Sequence, residues 1–334
     1  MLKVLQLVST PDSHTLVVTK NDGNINKLNT ILQGNNTLSL LVGSDFAQMK
    51  VVTLGGLEPK KIQLEDADVI INSICDPDTN KKGLKQASEL LNNVSIPVIN
   101  APSLIGRTTR EETYNLLHTI PGIKIPKTVR ITPRYLSDIP KMLEKEGLTY
   151  PYIFRSAGDH GGAGMELINN EDELHKLESF AFDGRDFYAI EFVDFRSEDG
   201  HYRKARVMVV DGEAYVRHLI IADSWKVHAE SRSVLMNDRA ALRQEEESFV
   251  TNPPASIKTL CKEMHKILEL DFFGMDCNIG PDGSLLIFEI NTCMNTSFSA
   301  RNKEAYETYK YLVASSSKIK AAFKALLSRR IGQS

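Results

Sequence analysis

Two apolar runs near the C-terminal end, Phe272–Ile279 and Leu285–Ile290, flank Pro281-Asp282-Gly283. Asp-Gly between alternating apolar stretches is the strongest short hairpin signal, because the favoured tight turn needs residues that tolerate positive φ. Strand side chains alternate faces, so Glu289 and Asn291 share one face with Ile290 opposite, and the partner strand can bring Asp276 to that face. A second hairpin is predicted over Lys204–His218 around Asp211-Gly212. Lys204 and Arg206 lie on one of its faces and Arg217 on the return strand, while Lys226 and His228 alternate after Trp225. Cations repeated at period two suggest a wall facing an anion; for any single residue a solvated strand face accounts as well.

The first hundred residues alternate strand and helix patterns. Val4–Val8, Leu38–Val42, Asp68–Ile74 and Pro97–Asn100 read as strands, and Asn24–Leu32 and the Leu84, Ala87, Leu90, Leu91 stripe as helices. Strands separated by helices predict an α/β unit with a small parallel sheet covered on both faces. Ligands of such sheets sit beyond the carboxyl ends of strands, which makes Ser9, Ser44, Asn72 and Asn100 weak candidates, with caps and turns the plainer account of each. Thr108/Glu111 and Thr109/Glu112 form overlapping capping boxes at the start of a helix that ends near Pro121-Gly122. Ile123–Ile131 is extended, and Ser137–Glu146 is a short helix.

Pro151–Ile168 is a strand, a glycine-rich loop and a strand. Four glycines within Gly158–Gly164 let backbone come close to a ligand, their N–H groups can cradle phosphate, and Arg155 on the entering strand adds charge-assisted bonds. A β-like segment follows the loop, which argues against a dinucleotide-binding fingerprint. Asn170-x-x-Glu173 caps a helix to about Phe180, and Phe187–Val193 is a strand with acids at Glu191 and Asp194. The segment around Asn237–Glu247 reads as an exposed acidic helix, Ile257–Leu268 as an amphipathic one, and Arg301–Arg329 as a structural C-terminal helix.

Composition narrows the classes. With 334 residues, the chain is long enough for two or three domains. A formal charge of −3 gives no basic field for nucleic acid. No run approaches a membrane span, and the N-terminal run is too short for a signal peptide. The four cysteines form no CxxC pair, which argues against a zinc site and fits a reducing cytoplasm. No HExxH or GxSxG pattern is present, so nucleophilic hydrolase chemistry has no support.

The order of these features resembles the ATP-grasp superfamily, in the branch of glutathione synthetase and the ribosomal-protein glutamate ligases, over roughly residues 98–297. Arg155–Gly162, His218–His228 and Glu289–Met294 are also similar to the ATP-grasp regions of certain bacterial tetratricopeptide-repeat proteins, although no repeat is visible here. The resemblance implies an α/β pre-ATP-grasp domain (1–100) and two α+β ATP-grasp subdomains (101–190 and 191–334) clasping ATP. It implies Arg110 and Arg155 on the phosphates; a lid from Gly158 through His160, Gly161 and Gly162 to Gly164; and a hinge with Glu191, Phe192, Val193 and Asp194 at adenine and ribose. Arg206 and Lys226 become the catalytic cations, with Lys204 and His228 beside them, and Asp276, Glu289 and Asn291 the Mg²⁺ ligands. It further implies two Mg²⁺ ions, replaceable by Mn²⁺, small-molecule or peptide carboxylate and amine substrates, and a homodimer.

Three features depart from the family pattern. Arginine stands at both usual ATP-lysine positions, His228 replaces a common asparagine, and Cys293-Met294-Asn295 replaces the Pro-Gly after Glu-x-Asn. The leading expectation is an ADP-forming carboxylate–amine ligase acting through an acyl phosphate. A small-molecule kinase on the same scaffold and a non-catalytic nucleotide-binding protein are the alternatives.

Overall fold

A computed structural model describes residues 1–15, 17–20, 28–36, 41–43, 46–56, 64, 66–159, 164–298 and 303–332. Its first sheet contains β1 (Leu2–Ser9), β4 (Ala47–Leu54), β5 (Val69–Asn72) and β6 (Val98–Ile99), all parallel in the order β4-β1-β5-β6. β2 (Val17–Lys20) and β3 (Leu28–Ile31) form a separate antiparallel pair. Thus Leu28–Ile31 is strand and not helix, because its partner is a neighbouring strand; residues 24–27 of the expected helix lie outside the described residues. Leu41 and Val42 sit buried in a turn, outside any strand, and 38–40 and Ser44 are likewise outside the described residues.

Both faces of the parallel sheet are covered, as its apolar strands require. Leu5, Leu7 and Ile70 pack with Leu84 and Ala87 of α1 (Lys81–Leu91). Val4, Val69, Ile71 and Ile99 point the other way. Ser9, Asn72 and Asn100 are buried in structural bonds: Asn72 closes a turn onto Ile74, and Asn100 pairs with the backbone of Phe272 through both amide atoms.

A 3₁₀ segment (Pro102–Thr108) leads to α2 (Arg110–Leu117), whose N-cap is Thr109, its hydroxyl accepting from Glu112 N at 3.3 Å. Thr108 bonds instead to Ile105 O and Thr109 N donates to Gly106 O, so only the Thr109 cap forms and neither capping box closes. β7 (Ile123–Lys124), β8 (Thr128–Ile131), α3 (Ile139–Lys145), β9 (Tyr152–Ser156), β10 (Met165–Ile168) and β11 (Phe187–Glu191) follow. β10-β9-β11-β8 form an antiparallel sheet. Its core is Ile139 and Leu143 of α3 against Phe154 and Phe187, whose rings stack 5.0 Å apart. Asn170 makes no side-chain cap: the segment after it is a 3₁₀ helix (Glu171–Leu177), and Glu173 accepts from Asn169 instead.

The third sheet holds β12 (Tyr202–Val210), β13 (Glu213–Ala222), β14 (Phe272–Ile279) and β15 (Leu285–Asn291), in the order β13-β12-β14-β15-β7. Both Asp-Gly hairpins form as expected, with φ of 51° and 79° at Asp211 and Gly212. Between them run a single turn α4 (Ala229–Ser231), a π turn (Arg232–Met236), α5 (Ala240–Thr251) and the amphipathic α6 (Ala255–Leu268). α5 is less exposed than its acidic sequence implies. Glu246 is fully buried, accepting from Arg232, Leu219 N and the Tyr311 hydroxyl, so a tertiary cation overrides the usual exposure of glutamate. The chain ends in α7 (Lys303–Thr308) and α8 (Lys310–Gly332). Ile319, Phe323, Leu326 and Leu327 of α8 fill the space between the first sheet and Met208, Val210 and Phe272 of the third.

Candidate active site

One row of side chains crosses the third sheet. Register pairs Arg206 with His218 on β13 and with Asp276 on β14, and Asp276 with Glu289 on β15. The pairing shifts just past this row in both ladders, between Arg206 and Val207 and between Asp276 and Cys277. Such bulges bend a strand and re-aim side chains, and they recur beside functional sites.

The row forms the floor of a cavity of about 250 Å³ between the second and third sheets. Its apolar lining is Ile153, Ile190, Phe195, Ile220, Trp225 and Phe288, with Phe192 edge-on to Trp225 at 5.7 Å. Charged side chains line it as well. Arg110, Arg155, Lys204, Arg206 and Lys226 face Glu191, Asp276 and Glu289, leaving a surplus of two positive charges.

Each charge is held by identifiable partners. Arg206 grips Asp276 through two bonds of 2.8 and 3.0 Å, and Lys204 Nζ lies 3.5 Å from the same carboxylate. Burial opposes the Arg206 charge, but Asp276 outweighs it and holds its pKa above the ordinary value. Arg110 donates to Phe288 O at 2.6 Å and lies 3.1 Å from Glu289, which also accepts from Asn291 Nδ2 at 2.7 Å. Lys226 Nζ reaches across the cleft to Met165 O at 2.7 Å, linking the two sheets over the cavity. Arg155 is 4% exposed, donates to Met165 Sδ and Asp159 O, and has a buried Nε with no partner. Burial and the neighbouring Arg110 lower its pKa to about 10. Burial and the Arg206 and Arg217 cations hold His218 well below its ordinary value; burial and Lys204 lower His228.

The structure therefore gathers Arg110, Arg155, Glu191, Phe192, Val193, Lys204, Arg206, Lys226, His228, Asp276 and Glu289 around one cavity. Asn291 stands just beyond it, lining a small cleft with Asp76, Asp78, Arg110 and Gly158. Asp194 lines a separate groove on the far side of Val193. Gly158 has φ 80°, and a Cβ there would lie 2.3 Å from Thr79 Cγ2. Gly164 also has positive φ, at 73°, and His160, Gly161 and Gly162 lie outside the described residues. Arg217 does not share the wall with Lys204 and Arg206. The bulge turns His218 into the cavity, and Arg217 is buried against Ser297 and Phe298.

Two features had little sequence signal. His218 reaches the floor because of a bulge that period-two counting does not anticipate. Arg130 is a hub: it meets Asp78 at 2.7 Å, Glu111 at 2.5 Å, Asp186 at 3.0 Å and the Tyr188 hydroxyl, which itself donates to Asp78 at 2.8 Å. Its partners are scattered along the chain, so only folding assembles the set.

Magnesium fits the donors present. Among the described residues, no group of three His, Cys, Asp or Glu side chains could hold an ion alone. Mg²⁺ is usually held by one or two carboxylates and completed by water and phosphate oxygens, which is what the opposed Asp276 and Glu289 offer.

No protein-family model matches the chain. Two curated relatives, each named coenzyme gamma-F420-2:alpha-L-glutamate ligase, come from Methanococcus maripaludis and Methanocaldococcus jannaschii. They are 33% and 37% identical over 92 residues, covering 28% and 27% of this chain and 31% and 30% of theirs. The match thus spans about a third of the length of these curated relatives. A RimK domain ATP-grasp protein of Sphaerobacter thermophilus superposes on 97% of this chain and 99% of its own at a TM-score of 0.53 and 12% identity. The chain has the ATP-grasp fold.

Proposed function

We propose that the chain is an ATP- and Mg²⁺-dependent, ADP-forming carboxylate–amine ligase. The observation that carries this reading is the cavity itself. Its apolar and aromatic walls suit a nucleobase, and its charged lining, with two surplus positive charges, includes opposed carboxylates suited to a phosphate-bound metal. The two glutamate-ligase relatives support the amide-forming chemistry, with a glutamate-like amine as the acceptor class.

Trp225, Phe195 and Ile190 would enclose adenine, and Glu191 would face the ribose. Arg110 and Arg155 would bind phosphate oxygens; the Nε of Arg155 is a buried donor with no protein partner on a residue that lines the cavity. Bound magnesium would neutralise charge on the β- and γ-phosphates, held by Asp276, Glu289 and Asn291. Arg206 and Lys226 would stabilise the phosphoryl group as a substrate carboxylate oxygen attacks γ-phosphorus and ADP leaves. The amine nitrogen then attacks the acyl carbonyl, loses a proton, and phosphate departs with the C–O bond. The chain's own work is positioning and water exclusion, with 158–164 assigned as the lid. We also assign 1–100, 101–190 and 191–334 as the pre-ATP-grasp domain and the two clasping subdomains.

The test is ADP and free-phosphate release with Mg-ATP and paired panels of carboxylates and amines, L-glutamate among the amines. Stoichiometric ADP and phosphate that require both partners are expected. A phosphorylated product without free phosphate would replace the ligase with a kinase. Strong nucleotide binding with no turnover for any pair would defeat catalysis altogether.

A further inference from the structure

Two thiols from opposite ends of the chain meet beside the proposed metal ligands. Cys75 follows β5 and Cys293 follows β15, and their side chains share a hydrogen bond. Contacts other than the thiols hold the two segments together. Asn36 N donates to Ser73 O at 2.7 Å, while its Nδ2 donates to Thr292 O at 2.6 Å. Cys75 also lines the small cleft that contains Glu289, Ile290 and Asn291. Solvent reaches the two thiols unequally. Cys75 is 2% exposed, whereas Cys293 is half-buried. The remaining cysteines, Cys261 and Cys277, are fully buried. An accessible thiol in contact with a buried one is the arrangement of an attacking and a resolving cysteine.

We propose that Cys75 and Cys293 form a reversible disulfide that controls the metal end of the cavity, with a low-molecular-weight disulfide such as oxidised glutathione as the oxidant. The Cys293 sulfur attacks one sulfur of the oxidant, which gives a mixed disulfide and releases one thiol. The Cys75 sulfur then attacks the Cys293 sulfur, and the second thiol leaves. The protein loses two hydrogens and the oxidant gains them, so the exchange balances. Formation of the bond is independent of the ligase reading; its effect on nucleotide rests on that reading. Cys293 N donates to Asn291 Oδ1 at 3.0 Å, and Asn291 Nδ2 donates to Glu289 at 2.7 Å. Closing a bond of about 2.05 Å between the sulfurs draws Cys293 toward Cys75 and displaces the amide oxygen bonded to it. Mg²⁺ demands near-ideal octahedral geometry, so a displaced Asn291 ligates it poorly.

The full-length chain is incubated with oxidised glutathione, its remaining thiols are blocked with N-ethylmaleimide, and it is digested without reductant for mass spectrometry. A peptide pair joined through Cys75 and Cys293 is expected, and dithiothreitol separates it. By calorimetry the oxidised chain binds Mg-ATP at least fivefold more weakly than the reduced chain, while ATP in chelator binds within twofold, and dithiothreitol restores the difference. Cys293→Ser, at the accessible thiol, abolishes both the bond and the response to oxidant; Cys75→Ala stops the reaction at a glutathione adduct on Cys293. A stable adduct on Cys293 in wild type, with no link to Cys75, overturns the proposal. So does a complete disulfide that leaves Mg-ATP affinity unchanged, or an oxidant response that persists in Cys293→Ser. If neither the reduced nor the oxidised chain binds Mg-ATP, the ligase reading fails and control of the metal end falls with it, whatever the peptide map shows.

Discussion

Replacing Asp276 by Asn separates two roles that its geometry combines. The carboxylate is 5% exposed and neutralises Arg206 and Lys204. Breaking a buried pair from one side costs about 3–5 kcal/mol. Arg206 is 22% exposed and Glu289 stands opposite, so about 2–3 kcal/mol is expected here. With 334 residues and about 2.1 cal/mol/K per residue, unfolding as one unit carries about 0.7 kcal/mol/K, so the melting temperature should fall by roughly 3–4 °C. The second role is metal binding. A charged contact contributes about 1.5–3 kcal/mol, which predicts Mg-ATP affinity weaker by roughly 10–150-fold. At one hundred times the wild-type dissociation constant, Mg-ATP stabilises wild type by about 2.7 kcal/mol, or about 4 °C. A variant about 30-fold weaker gains only about 1 °C under the same conditions. Metal-free ATP should behave oppositely: with one carboxylate gone, its binding is retained or strengthened. Differential scanning fluorimetry with ATP, in excess Mg²⁺ or in chelator, reads all three quantities. A full Mg²⁺-dependent increment in Asp276→Asn would falsify the assignment of Asp276 as a metal ligand.

Other consequences follow from single contacts. Glu246→Gln keeps the Tyr311 and Leu219 bonds but leaves Arg232 buried without a counter-charge, so stability should fall by about 3–5 kcal/mol, read in urea unfolding. Gly158→Ala places a Cβ against Thr79 in a positive-φ backbone and should cost about 1–3 kcal/mol by the same assay; a neutral result would mean that the approach to Thr79 relaxes freely. His218 has its folded-state pKa lowered, so the unfolded chain takes up a proton near pH 6.5 that the folded chain refuses. The stability of keeping it neutral is full above that pH and is lost as pH falls below it, by up to about 1.4 kcal/mol per unit. His218→Gln should therefore flatten the decline in melting temperature between pH 7.5 and 5.5, and an unchanged slope would rule His218 out as its source.

The hairpins were readable because Asp-Gly turns and strict alternation are local signals, and they carried Asp276 and Glu289 to the same face without tertiary information. Leu28–Ile31 was misread because short apolar runs satisfy helix and strand periods alike, and the pairing with Val17–Lys20 decides between them. His218, not Arg217, stands opposite Arg206 because one bulge shifts the alternation. Glu246 and Arg130 were invisible as partners, since burying a charge depends on counter-charges distant in sequence.

The placement of α8 has a consequence for biosynthesis. Val4, Val69, Ile71 and Ile99 are made early, yet they share their core with Ile319, Phe323, Leu326 and Leu327. About 220 residues separate Ile99 from Ile319, and at about 5–20 residues per second the ribosome needs roughly 10–45 s to add them. Throughout that interval one face of the first sheet lacks the cover that α8 supplies and presents apolar side chains to solvent. The nascent chain is thus a natural client for holdase chaperones, and the first sheet completes its core only after α8 has been made.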